Sequence, residues 1–338
     1  MLNILNRLVK FRLQKFIYSL IILSIIYNKS YSTTDFDKWI LPQSSKRYNE
    51  ITFLTSHNSF SNEEDGYIQP QQKWNLQNQL ANGIRGFMLD THYSSNLFSG
   101  KKKIRLCHRN CTLTQAILRP FKGKPMSFKK SLLIFKDFLK QNPKEIITFF
   151  LENYTQGHDL DASIESSGIQ EYILTPKSYN PVQKNGWPVL SWMQKNNKRL
   201  VIFNQRGETK YAYDEWSCHF ENQHGTLDIN KAAKERLESL KSGNLKDRYI
   251  YVMNYFPHFY VKPIQSIDFK TINSTGVKDL LNKTLKTRSL LNRRYPNFIA
   301  VDFVNEGNLM RLVNRINNSA NNLQKRKNMY RKLPRYKK

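Results

Sequence analysis

The sequence predicts an α/β fold, a TIM-type (β/α) barrel of parallel strands alternating with helices. Three observations predict it. Short apolar runs alternate with helix-like stretches, which argues for a parallel sheet. There are seven such runs, enough to favour a barrel over a doubly wound sheet. No Gly-rich phosphate loop of the G-x-G-x-x-G or G-x-x-x-x-G-K type is present, which counts against a nucleotide-binding fold.

The predicted strands are Ile51–Ser56, Arg85–Asp90, Ile104–Cys107, Ile146–Glu152, Leu200–Asn204, Tyr249–Asn254 and Phe298–Phe303. Each is short, rich in β-branched or aromatic residues, and stops at or beside a polar residue. Among the helices, Ser127 caps a run with Phe128, Leu132, Phe135 and Leu139 at helical spacing. Asn142-Pro143 breaks that run. Lys231–Leu240 and Val277–Leu291 also read as helices.

At 338 residues, with 39% hydrophobic and 13% aromatic residues, the chain can bury one large core, which excludes wholesale disorder. Arg7, Lys10, Arg12 and Lys15 precede an apolar run from Phe16 to Tyr27, and small residues follow to Ser32. That pattern reads as a secretory signal peptide over residues 1–32, and the run is too short for a membrane span. A secreted protein is therefore expected. From Gly307 to Lys338 no acidic residue occurs, and residues 307–338 read as a basic C-terminal tail. The net charge of +28 would concentrate the protein on anionic surfaces such as acidic lipid, nucleic acid or glycan. The bland alternative is a set of solvated lysines in a Lys- and Asn-rich chain. In an oxidising compartment Cys107 and Cys111 would close a small disulfide loop around His108, leaving Cys218 free or intermolecular. The Cys and His spacings carry no zinc signature.

Active residues of such a barrel sit at the C-terminal ends of its strands. Here those ends carry His57-Asn58, Asp90, His108, Glu152, Asn204, Asn254 and Asp302. Residues two apart on a strand share a face, so Gly86, Met88 and Asp90 point one way. Arg85 points the other and reads as structural rather than as a phosphate clamp. Two histidines with an oriented carboxylate suit phosphodiester cleavage. One imidazole takes the proton of an attacking hydroxyl, and the other gives a proton to the departing alkoxide. A hard divalent cation on Asn58, Asp90 and Glu152 would neutralise the phosphate. His158, His219, His224 and His258 read as structural, as does His92, although it lies two residues beyond Asp90.

These residues fall in motifs. Thr55-Ser56-His57-Asn58-Ser59-Phe60, Gly83 to Asp90, Leu106-Cys107-His108, and Asn142-Pro143-Lys144-Glu145 leading to Leu151-Glu152-Asn153 resemble, in order, those of the phosphatidylinositol-specific phospholipase C X-domain family. Asn185-Gly186-Trp187-Pro188, Val252 to Pro257 and Tyr295 to Phe303 resemble its secreted, single-X-domain subgroup. The resemblance covers about residues 36 to 306. It implies a distorted barrel of the PLC-like phosphodiesterase kind. It also implies His57 as general base, Asp302 as its orienting carboxylate, and His108 as general acid. The implied reaction is attack of the inositol 2-hydroxyl on its own phosphate, with diacylglycerol leaving and a cyclic inositol phosphate forming. The expected partner is a phospholipid at an anionic membrane surface, with no specific nucleic acid and with the protein a monomer. The calcium-dependent branch has a Glu where this chain has Met88, so a Ca2+ or Mg2+ site on Asn58, Asp90 and Glu152 would lack one carboxylate. The alternative is metal-independent catalysis. Other head groups, or a non-catalytic binder of anionic membrane, are the competing functions.

Overall fold

In the computed structural model, the described residues are 37–319, apart from 68, 96–101, 109–110, 112–124, 182–183, 185, 223–249, 257–266 and 287–294. The expected signal peptide, the helix Lys231–Leu240, the last residues of the basic tail, His224 and His258 lie outside them.

The chain forms a curled, TIM-like half-barrel of parallel strands. These are β1 (Phe53–Ser56), β2 (Gly86–Ser95), β4 (Ile147–Asn153), β5 (Leu200–Asn204), β6 (Tyr213–Asp214), β7 (His219–Glu221), β8 (Ile250–Asn254) and β9 (Phe298–Val301). They lie in the order β6-β5-β4-β2-β1-β9-β8-β7, with β3 (Lys102–Leu106) attached to β2. Two expectations need correcting. Ile104–Cys107 is not a barrel strand, because β3 runs antiparallel to the outer half of β2, from Thr91↔Leu106 to Ser95↔Lys102. Composition cannot distinguish a parallel from an antiparallel partner. The sequence also gave no sign of β6 and β7, whose two and three residues are too few to establish a period. Among the described residues β6 and β7 do not pair. Only the four-residue helix α1 (Glu215–Cys218) joins them, so among those residues the barrel has a seam.

Alternation on the strands fills the interior. Phe53, Phe150, Phe203 and Phe298 are buried and share one core cluster with Val252 and Ala300. Phe150 meets Phe298 edge-on at 4.9 Å and stacks on Phe203 at 5.3 Å. Removing one such ring costs about 3–5 kcal/mol. Gly86 belongs to this inward face. A Cβ there would sit 2.2 Å from the Thr55 hydroxyl, so only glycine lets β1 and β2 approach so closely.

The outer layer follows the capping logic of the sequence. Ser127 accepts from Lys130 N and starts the helix Phe128–Gln141, which buries Phe128, Leu132, Phe135 and Leu139. Phe135 packs on Phe87 at 4.8 Å and on Phe149 at 4.5 Å. Arg199 donates to the carbonyls of Leu139 and Asn142, which satisfies that helix's open C-terminal end. Arg85 is structural, as its parity predicts. Its guanidinium is buried, 2.7 Å from Glu145, and also donates to Leu80 O and Ile84 O. The ordered fold continues past residue 306. Leu309–Asn318, in the stretch read as tail, is a helix whose Asn317 brackets Thr52 by accepting from its N–H and donating to its carbonyl.

Candidate active site

The inward alternation that builds the core also builds the site. Phe53 and Thr55 lead to His57, Met88 to Asp90, Phe150 to Glu152, and Phe298 and Ala300 to Asp302. The packed face of each strand thus ends in a polar residue at one rim.

His57 follows β1. Its backbone N–H donates to Val301 O (3.0 Å), which ties it to β9, and its Nδ1 lies 2.8 Å from Asp302 Oδ1. Asp302 is 1% exposed and His57 17%. The buried Phe256 stacks on the imidazole at 3.6 Å with the planes 4° apart. Gln72 fastens the two strand ends together, its amide donating to His57 O and Val301 O. The residues after both members of the pair take left-handed backbones, Asn58 at φ 43° and Phe303 at φ 46°. For a bulky residue such as Phe303 this is rare and costs on the order of 1–3 kcal/mol. The surrounding packing holds the turn, and the turn aims the carboxylate.

His108 arrives by another route. The β2–β3 hairpin leaves the barrel rim and returns, and Cys107 N donates to Asp90 O (3.3 Å) at its base. A disulfide joins Cys107 to Cys111, with Cα atoms 5.5 Å apart, so His108 stands in a covalently closed loop. Its Nδ1 lies 3.0 Å from Asp90 Oδ2, and its side chain is 54% exposed. Burial raises the Asp90 carboxyl above its usual range, against the hydrogen bond from His108. Glu152, directly opposite across β2 and β4, raises it further. Asp90 also feels the charge of His57, so this one carboxylate lies in the field of both imidazoles.

The residues read as cation ligands are occupied otherwise. Asp90 holds His108. Asn58 donates its amide to Gln71 Oε1 (2.7 Å). Glu152 accepts from the Tyr154 hydroxyl, which holds that phenol up at about 12. Met88, partly buried, packs against the barrel core and offers only a soft thioether where a hard cation wants oxygen. The set suits a cation in charge, with two carboxylates abreast, but is short of oxygens.

Other strand ends are structural. Asn254 and Asn222 exchange amide and backbone hydrogen bonds between β8 and the end of β7. Asn204 donates to Gly207 O. His158 is exposed beside Asp159. His92, by contrast, stacks on Tyr154 at 4.2 Å next to the site, and burial lowers its pKa. Sequence reasoning missed Phe256, Gln72 and Arg206, whose guanidinium lies 5.1 Å from the Tyr154 ring. Phe256 looks like core, and Gln72 comes from a loop with no pattern. Arg206 alone had a signal, as a cation two residues past a strand end.

The PI-PLC X family model matches residues 43–317. The chain belongs to the PI-PLC X family. It is 28% identical over 288 residues to a PI-PLC X domain-containing protein of Arabidopsis thaliana, covering 80% of this chain and 62% of that one. It is 27% identical over 298 residues to an uncharacterized secreted protein of Arthroderma benhamiae, covering 82% and 62%. The chain thus spans about three fifths of the length of these relatives. The fold is similar to the phosphatidylinositol-specific phospholipase C of Staphylococcus aureus, at TM-score 0.55 and 17% identity over 82% of this chain and 95% of that one. The enzyme of Listeria monocytogenes gives TM-score 0.52 and 14% identity over 82% and 96%. As a PI-PLC X member the chain has a phosphodiesterase-type barrel, and no helix among its described residues is long and apolar enough to cross a membrane.

Proposed function

We propose that the protein is a secreted phosphodiesterase that cleaves phosphatidylinositol-type lipids by paired histidine acid–base chemistry. The observation that carries this reading is the placement of two imidazole–carboxylate pairs, His57–Asp302 and His108–Asp90, on one barrel rim.

With Nδ1–H donated to Asp302, His57 keeps its lone pair on Nε2, the tautomer of a general base. Nε2 takes the proton of the inositol 2-hydroxyl, whose oxygen attacks phosphorus. The bond from phosphorus to the diacylglycerol oxygen breaks, and His108 supplies the proton that oxygen needs. The products are diacylglycerol and a cyclic inositol phosphate. Asp302 stabilises the imidazolium formed on His57, and Asp90 does the same for His108 before it donates.

A second reading rests on Asp90 and Glu152 facing each other across neighbouring strands. A Ca2+ or Mg2+ ion held there would neutralise phosphate charge. For membrane contact, the supporting feature is a groove of about 840 Å3 bordered by Lys102, Lys103, Arg105, Lys129 and Lys130, with Asp159 as its one acid. It suits anionic lipid. The deciding experiment is release of inositol phosphate from phosphatidylinositol micelles, with and without EDTA. Turnover that survives EDTA and vanishes in His57→Ala supports the metal-free relay. Equal turnover by wild type and His57→Ala refutes it.

A further inference from the structure

The seam between β6 and β7 holds a second cluster that the proton relay does not use. Glu215 opens α1, His219 opens β7, and Glu221 follows two residues later on the same face of that strand. His219 is fully buried, and its Nδ1–H donates to Glu215 O at 2.8 Å, which turns Nε2 toward the two carboxylates. Nε2 lies 3.4 Å from Glu215 Oε1 and 3.7 Å from Glu221 Oε2. One donor atom from each residue falls within 4.8 Å of the others. With the ring protonated these separations are ion pairs, and a divalent ion would take the place of the proton. The separations match the edges of a coordination sphere, because two ligands about 2.1 Å from one ion at a near-tetrahedral angle stand roughly 3.4 Å apart. The ring cannot turn away. Trp216 stacks on it at 5.5 Å, and Phe150 meets its edge at 5.8 Å. Glu221 is 29% exposed and gives an ion access from solvent.

We infer that Glu215, His219 and Glu221 form a site for one zinc-class divalent ion that latches the open seam of the barrel. One imidazole and two carboxylates suit Zn2+, with water completing four ligands. Ca2+ and Mg2+ prefer more oxygens and no imidazole. The backbone carbonyl that fixes the His219 tautomer is the kind of outer partner that orients metal-bound histidines. An ion here would tie α1 to β7 where, among the described residues, no strand pairing does. The pattern Glu-x-x-x-His-x-Glu has none of the Cys and His pairs by which a zinc site is recognised in sequence. The inference is independent of the proposed reaction.

The test uses the whole mature chain without a histidine tag, stripped with EDTA and titrated with Zn2+ alone in equilibrium dialysis. One ion per chain is expected, and His57→Ala should bind as well as wild type. Glu221→Gln, partly exposed and isosteric, should weaken binding at least tenfold and abolish the rise in Tm that Zn2+ gives wild type. His219→Gln should do the same. If the stripped chain takes up no ion, or Glu221→Gln and His219→Gln keep wild-type affinity, the site does not exist. Binding lost in Asp90→Asn but kept in Glu221→Gln would place the ion elsewhere and equally overturn the inference.

Discussion

His57 and His108 each lean on a buried carboxylate, but they are mounted in opposite ways. His57 sits in the barrel wall, with a ring on its face, a glutamine across its backbone and an aspartate that is 1% exposed. His108 sits on a half-exposed loop outside the wall, held by a disulfide and a hairpin. In the proposed reaction the base, His57, meets a hydroxyl in one fixed line, which suits a packed mounting. The proposed acid, His108, meets a bulky group that then departs, which suits an accessible one ordered by a covalent loop.

The largest effects test whether the two roles are distinct. His57→Ala should slow every phosphodiester substrate by about 10²–10⁴-fold. His108→Ala should do so for phosphatidylinositol yet leave an inositol phosphodiester with a nitrophenol leaving group within about tenfold of wild type, since that group departs without a proton. Equal damage on both substrates would remove the acid assignment. The pH profile separates the roles again. The base must be neutral, so rate falls as pH drops below its pKa. The acid must be protonated, so rate falls as pH rises through its own. Wild type should therefore show both limbs on phosphatidylinositol but only the acid limb on the nitrophenyl substrate, and His108→Ala should keep that acid limb.

Next come the carboxylates. Asp302→Asn should cost about 10³-fold in kcat, because a buried imidazole loses its tautomer and its counter-charge. Asp90→Asn should cost nearer tenfold, because water reaches half-exposed His108. The reverse order would undo the contrast. Replacing Cys107 and Cys111 with serine should lower kcat on phosphatidylinositol several-fold with KM unchanged, and leave the nitrophenyl substrate alone. The smallest effect is on docking. Lys129→Glu with Lys130→Glu should weaken binding to anionic vesicles by about 1 kcal/mol per charge removed, with monomeric substrate unaffected.

How far the sequence anticipated this depends on the range of the interaction. Strand ends and inward faces follow from a period of two, so the rim residues from His57 to Asp302 and the structural role of Arg85 could be read directly. Pairing direction could not be, and Ile104–Cys107 passed for a barrel strand when it returns along β2. Asp90 was read as a cation ligand because carboxylates at such a rim suit one, but its nearest partner is an imidazole on that returning strand. Phe256 entered only as part of the Val252 to Pro257 motif, because stacking on a polar ring uses the same atoms as packing and leaves no separate pattern. The Glu215, His219 and Glu221 cluster spans seven consecutive residues, but a four-residue helix turning into a three-residue strand has no periodicity that shows the three side chains converge.

The hairpin that carries His108 extends past the barrel rim and is tied down by Pro125, Met126 and Tyr67 rather than by the strand that carries His57. In the proposed reaction, grafting residues 91–111 together with their partners at 125–127 should alter which alcohol can depart and leave the handling of the attacking hydroxyl untouched. Engineering a new attacking group means rebuilding a barrel wall. Diversity among such proteins should therefore accumulate first in what they release.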